Sequence, residues 1–471
     1  MKKQKLALLI GLSSTLFLTA CGGSSSSSDN EVVSNKVVRG SIDGFGSVIV
    51  NGVRYNTDDT QFSVNEAAGI QADLKVGQVI TLLGNSNGNN GVASNIIYEL
   101  DLKGPITEVS AEGDTFTVLG QTVLTNNLTV FKDLTLPLTV GESVEISGYI
   151  SGETLIASYV ERNDDTDTEV ELRGAIANLD EAAGTFRIRG QQISYSSATE
   201  LDLDGQTLAN GLKVEVEGEL NSESVLVADE IESDEEKFEK DTELELVGII
   251  SELNSEAQTF VVNGTQITWN SQTDFDDLTA EYLANDLTVE VEGRINADGV
   301  LAAEEIEIDD DANISIEAKI TETTAGEDDF SGTITVLGNE ISIDMTTRMS
   351  DDDENPNADA KFNFSHLNSG DKVELEVTGN SENGYRAVKL ERDYNDSSDD
   401  EANNDGLNEV ELELPAGLID IENKLVLGIS YEASAEVSLT VLDNLEADTE
   451  VEIEGTINGD LLTITSIEID D

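Results

Sequence analysis

A chain of 471 residues is several times the length of an ordinary domain, and 38% hydrophobic residues suffice for several modest cores but not for one large interior. With 97 Asp and Glu against 25 Lys and Arg, the formal net charge is −72, which repels phosphate backbones and excludes nucleic acid as an expected partner. One cysteine and one histidine exclude an intramolecular disulfide, a thiolate zinc cluster and the usual His/Cys metal centres.

The first thirty residues carry a basic start (Lys2, Lys3, Lys5), an apolar run from Leu6 to Leu18, and Leu18-Thr19-Ala20-Cys21 before a Gly/Ser tract. The order is that of a secretory signal, and the apolar run is too short for a permanent membrane span. Leu-x-Ala-Cys resembles the bacterial lipobox, which implies lipidation of Cys21 and cleavage before it. Residues 1–20 are therefore expected to be a lipoprotein signal peptide and 21–35 a flexible polar tether. Gly22 follows the cysteine where a retained inner-membrane lipoprotein has Asp, so the resemblance implies an outer-membrane address, lipid-anchored and either periplasm-facing or surface-exposed.

The remainder repeats itself. An alternating strand ending in glycine occurs at Ile80–Gly84, Val144–Gly148, Val214–Gly218, Val289–Gly293 and Val451–Gly455, with a looser copy at Val373–Gly379. The glycines stand roughly 64 to 86 residues apart, a period suited to small domains rather than solenoid units. Seven residues before each comes a turn-tolerant residue, Gly77, Gly141, Gly211, Asp286 or Asp448, expected to launch the strand. In the fifth copy this bend, Gly370, lies two residues farther away, which reads as a longer strand or a bulge. A second glycine sits between two short β-rich runs: Gly52, Gly120, Gly190, Gly264, Gly338 and Gly428, with Asn51-Gly52 and Asn263-Gly264 the strongest hairpin signals.

The fourth copy shows the expected order. Glu243–Leu253 is a long strand bent at Gly248, Thr259–Asn263 and Thr265–Trp269 form a hairpin, Ser271–Asn285 holds one helical turn, and Leu287–Ile295 and Val300–Ile308 form a second hairpin. Strand, hairpin, short helix and hairpin is the order of an OB-like barrel. The expected fold class is all-β: about six tandem, small, OB-like five-stranded barrels at 36–99, 100–162, 169–233, 242–309, 312–393 and 409–470, joined by mobile acidic linkers as a string of independent beads.

A lipobox followed by copies of G-x-I, an N-G hairpin, L-x-x-G-x-x-V-x-V-x-G and an Ala-x-x-Ile strand (Ala228-Asp229-Glu230-Ile231, Ala303-Glu304-Glu305-Ile306) resembles the bacterial envelope family known as domain of unknown function 5666. The resemblance covers nearly all of the chain after the signal, most clearly copies one to four. Its motifs are structural and imply no catalytic residue. The sixth copy lacks the opening glycine in register.

Val-Glu alternation places valines on one face and glutamates on the other, expected as a half-buried strand with a solvated face rather than a carboxylate catalytic pair. His366 and Trp269, each unique in the chain, are expected to pack. Weak calcium contacts are expected, if anywhere, at Asp393, Asn395, Asp399 and Glu401, in a stretch that lacks the central glycine and final glutamate of an EF-hand loop. Glu200–Gly205 has the glycine without the final acid. The sequence thus leads to a non-enzymatic envelope module with no cofactor other than calcium. Its expected partners are the membrane, reached through acyl chains, and an envelope protein or extracellular matrix. A calcium-dependent adhesion or matrix protein is the alternative, and a carboxylate-dependent hydrolase the second alternative.

Overall fold

The computed structural model describes residues 36–469 except 112, 164–167, 235–237, 239, 276–279, 281–282, 286, 309–313, 327–328, 345–346, 352–361, 381–383, 393–407, 422, 436, 443–444, 448 and 460. The chain is all-β, with its strands distributed over three sheets.

Repeat 3 illustrates the closed five-stranded barrel. Its first strand, Glu169–Asp180, pairs with Thr185–Ile188, which pairs with Gln191–Ser194; this runs parallel to Leu226–Ser233, which is antiparallel to Lys213–Leu220, and that strand returns to the first. Alternation fills the interior: Leu172, Phe186, Ile188, Ile193, Val214, Val216, Leu226 and Ile231 are all buried. The Asn-Gly signals are read correctly by the chain, with positive φ at Asn51 and Gly52 and at Asn263 and Gly264.

Between the two hairpins lies a strand that the five-strand pattern does not contain. Gln61–Val64, Val130–Lys132, Glu200–Asp202, Asp274–Phe275 and Arg348–Asp351 each run parallel to the last strand of their own repeat. In the fourth copy, Asp274–Phe275 therefore occupies part of the stretch expected to be a helical turn, and 276–279 and 281–282 lie outside the described residues. A threonine precedes or opens each strand and donates its hydroxyl to an alanine carbonyl of the last strand: Thr60 to Ala93, Thr129 to Ala157, Thr199 to Ala228, Thr273 to Ala303 and Thr347 to Ala387, at 2.7–2.9 Å.

The glycines expected to end these strands lie inside them, in Ser143–Ser151, Lys213–Leu220 and Thr288–Ile295, where they mark a β-bulge in the closing hairpin. The register shifts at Ser147/Gly148, Glu217/Gly218 and Glu292/Gly293, and a Cβ built on any of these glycines would overlap a carbonyl oxygen of the opposite strand. In repeat 5 the bend at Gly370 is in its usual place: its N–H donates to Ile320 O, as that of Gly211 does to Ile176 O. What has moved is the glycine. The bulge falls at Glu376/Val377, so Val377 fills the glycine's position and Gly379 sits two residues on, with φ of 103°. In repeat 6 the first strand is interrupted, Glu409–Pro415 giving way to a 3-10 turn at Ala416–Leu418 and resuming as Ile419–Asp420. The ring nitrogen of Pro415 carries no proton for a ladder bond, and the N–H groups of Ala416 and Gly417 turn aside to Thr449 O and Ala447 O.

The repeats are not separate beads. Each first strand is bent, so within its own repeat its N-terminal half pairs only with the fourth main strand and its C-terminal half only with the second; in repeat 3 these are residues 169–175 and 176–180. One edge of the N-terminal half is left open, and an open edge pairs. Leu102–Val109 of repeat 2 joins Glu169–Asp180 antiparallel through Leu172↔Leu102, and Ile314–Ala325 of repeat 5 joins Glu409–Pro415 of repeat 6 the same way through Ile316↔Leu412. Lys36–Phe45 of repeat 1 skips the intervening pair and joins Glu243–Asn254 of repeat 4 in parallel, from Lys36↔Glu243 to Arg39↔Leu246. The cores of repeats 2 and 3 consequently merge, as do those of 5 and 6, while Val79, Tyr149, Val247 and Ile249 form a small apolar contact joining repeats 1, 2 and 4.

Candidate functional site at the junction of repeats

The Val-Glu strands bury valine as expected, with Val214 and Val216 inside. Their glutamate faces are not uniformly solvated. Where one barrel's outer face is covered by another repeat, glutamates are trapped: Glu171, Glu215, Glu232, Glu245 and Glu376 are all buried.

The densest group surrounds Arg173, placed by the first strand of repeat 3 at the junction with repeat 1. Register sets Arg173 opposite Glu215, Glu215 opposite Glu232, and Glu171 opposite Glu217. The guanidinium lies 2.6 Å from Glu215, 2.9 Å from Asp234, 3.1 Å from Glu99 and 3.5 Å from Glu171, and its Nε donates to Leu100 O at 2.8 Å. Carboxylate oxygens converge in two triads, Glu66/Glu215/Glu232 and Glu171/Glu215/Glu217, each with its three oxygens within 4.8 Å of one another, and the two share Glu215. Glu66 comes from repeat 1, so the group is assembled across a seam.

Burial dominates the electrostatics. It pushes the carboxyl of Glu171 well above the usual range, and the neighbouring Glu215 pushes it farther, against the pull of Arg173. Glu215 is likewise raised by burial, with Arg173 working in the opposite direction. Carboxylate oxygens of Glu171 and Glu215 lie within 4.8 Å of each other, close enough for the two groups to titrate as a coupled pair. Nearby, burial raises Asp101, although it accepts the Gly148 N–H at 2.9 Å. Chemically the junction is a cluster of buried carboxyl groups gathered round one arginine, with oxygen donors suited to a hard cation where they approach Glu66.

The residues singled out in the sequence fall as follows. Cys21 and the calcium candidates Asp393, Asn395, Asp399 and Glu401 lie outside the described residues, as do the bends Asp286 and Asp448. Glu200, Asp202 and Asp204 are described and do not converge as a calcium loop: Glu200–Asp202 is a strand, and Asp204-Gly205 is a tight turn with positive φ at both residues. That turn borders a shallow cavity of about 540 Å³ lined by Glu181, Tyr195, Leu201 and Leu208. His366 closes a 3-10 turn, its Nδ1 3.0 Å from Asn363 Oδ1 and its ring 6.0 Å from that of Phe362. Trp269 is buried against Phe260 at 5.5 Å. The Arg173 junction was not found from sequence because Glu66 and Glu215 are brought together only by packing of repeats. The one local signal was a basic residue before the opening glycine, in Arg39-Gly40, Lys103-Gly104 and Arg173-Gly174.

No curated protein matches the chain. Among solved structures it is similar to a Drosophila chain, Unr CSD456, at 12% identity, with 43% of this chain and 99% of that chain covered and a TM-score of 0.15. The family model described as Domain of unknown function (DUF5666) matches four times, at residues 103–161, 173–232, 247–307 and 318–391. These segments coincide with the bulged, threonine-pinned barrels described above and make up more than half of the chain, which therefore belongs to the DUF5666 family.

Proposed function

We propose that the protein is a non-enzymatic structural or binding module of the cell envelope, anchored to the outer membrane through acyl chains on Cys21. What supports this reading is how the recurring residues are used. The bulge glycines, the Thr–Ala pairs and the basic residues before the opening glycine all serve to close barrels or fasten them together. The hydrolase alternative is disfavoured because the buried carboxylates are already engaged in the seam: Arg173 stands 2.6 Å from Glu215 and 3.5 Å from Glu171. Metabolic labelling with palmitate and membrane fractionation test the anchor. The wild type is expected to be labelled and membrane-bound, and Cys21→Ser unlabelled and released; a Cys21→Ser chain that stays with the membrane would defeat the proposal.

A calcium-dependent adhesion or matrix role is the second reading, favoured by the approach of Glu66, Glu215 and Glu232 within 4.8 Å. Thermal melting of the mature chain with millimolar calcium and with chelator separates the two readings, since an unchanged midpoint removes the second.

A further inference from the structure

Repeat 5 is docked against repeats 1 and 2 by a small set of polar groups. Arg348 donates to Leu128 O at 2.5 Å and to Ser41 Oγ at 2.7 Å, Lys389 reaches Asn127 O at 3.4 Å, and Arg54 lies over the Phe330 ring at 4.7 Å. Enclosed with them is Glu376, on the strand Lys372–Asn380, which is only 3% exposed. Lys389 lies opposite it on one neighbouring strand and Ser315 on the other, with the Asn127 amide facing it from repeat 2. Its Oε2 has no hydrogen-bond partner among the described residues. Lys389 does not serve Glu376 alone, because it also approaches Glu374 at 3.6 Å and Glu391 at 3.9 Å. On the next strands outward, Arg348 lies opposite Lys389 and Glu413 lies opposite Ser315.

We infer that the seam between repeat 5 and repeats 1 and 2 is a proton-coupled latch, in which the closed form holds Glu376 as the neutral acid and opening hydrates and ionises it. Placing a carboxylate there would bury a charge with one oxygen unsatisfied beside Glu374, a state that burial makes unfavourable and that a shared Lys389 only partly offsets. Consistent with this, burial pushes the Glu376 carboxyl from 4.5 up to about 8, against the pull of Lys389. A folded value above the open one means that closure takes up a proton. The closed form is then favoured most below about pH 4.5, opening rises about tenfold per pH unit from there to about 8, and the dependence flattens once the closed form also ionises.

Hydrogen exchange on the full mature chain, corrected for intrinsic rates, reads this directly. Between about pH 5.5 and 7.5, peptides spanning 126–131 and 372–379 are expected to lose about a hundredfold in protection, while the same peptides in Glu376→Gln stay level. Asn127→Asp, a change outside repeat 5 that sets a second carboxylate against Glu376, is expected to loosen the seam at the upper pH while repeat 5 keeps its own protection. A flat wild-type response, a Glu376→Gln chain with the wild-type slope, or an Asn127→Asp seam as protected as the wild type would each overturn the inference.

Discussion

Gly218 lies so close to the carbonyl oxygen of Val227 on the opposite strand that a Cβ at Gly218 would overlap it. The obstacle is backbone, which cannot swing aside as a side chain does, and it sits in the bulge that lets the closing hairpin curl over the barrel. Gly218→Ala is therefore expected to destabilise repeat 3 by about 1–3 kcal/mol, as overpacking of a fitted interior does. Urea unfolding followed by exchange of peptides from residues 213–233 measures it, and an unshifted midpoint would remove the steric account. Repeat 5 keeps the same one-residue bulge with Val377 in the glycine's place, opposite Ala387.

The barrel was legible because it is written in local chemistry. Alternation gave the strands, Asn51-Gly52 and Asn263-Gly264 gave the turns, and Gly211 gave the bend of the closing hairpin, whereas the bulge at Gly218, expected as a strand end, depends on pairing with the opposite strand. The extra parallel strand was missed because three residues such as Glu200–Asp202 carry no period, and its pairing with Glu230–Glu232 is made at a distance in the chain. The Arg173 junction was missed for a stronger reason. Nothing within repeat 3 records that Glu66 of repeat 1 will close over Glu215.

The threonine at that extra strand does have a sequence signature in hindsight, a polar residue three positions earlier whose N–H it accepts. Thr199 accepts from Ser196 N at 3.0 Å and donates to Ala228 O at 2.9 Å, and Thr129 with Asn126 and Thr273 with Asn270 repeat the bond. Thr199→Val keeps the shape and removes both bonds, leaving an acceptor and a donor unmatched. A loss of about 1–3 kcal/mol is expected by chemical denaturation, with Thr199→Ser retaining most of the stability. If valine and serine behave alike, the hydroxyl is not what pins the strand.

Stability should fall as pH rises through the range in which Glu171 and Glu215 ionise. Both carboxyls are raised in the folded chain, chiefly by burial, so the folded state holds protons that the unfolded state releases. The contribution is complete below the ordinary carboxylate range and is lost as pH climbs to the folded values. Glu171→Gln is expected to flatten the melting temperature against pH on the alkaline side. Arg173→Met should act in the opposite sense, leaving Glu215, Glu99 and Asp234 without their shared cation and costing about 3–5 kcal/mol near neutrality. A pH profile identical in wild type and Glu171→Gln would show that the pair does not titrate as a unit.

The scarce cations have largely been withdrawn from the surface. Of the described Lys and Arg side chains only Arg162, Lys240, Arg294 and Lys424 are exposed, while Lys36, Arg173, Arg189, Lys213, Arg348 and Lys389 all reach across to another repeat or its boundary. Attraction is thereby concentrated in partly buried seams, where salt screens weakly, and repulsion is spread over the exterior of a chain with net charge −72, where salt screens strongly. Added salt should thus stabilise the packed assembly even though ion pairs help to hold it. The melting temperature is expected to rise, and the radius of gyration in solution scattering to shrink, as sodium chloride increases from about 0.01 M, where the screening length is about 30 Å, to about 1 M, where it is about 3 Å. A midpoint that falls steadily over that range would mean that the seam pairs outweigh the exterior. Lys36→Met, which removes the link from repeat 1 to Glu245 and Glu292 of repeat 4, should then lose stability at every salt concentration, because burial keeps that contact from being screened.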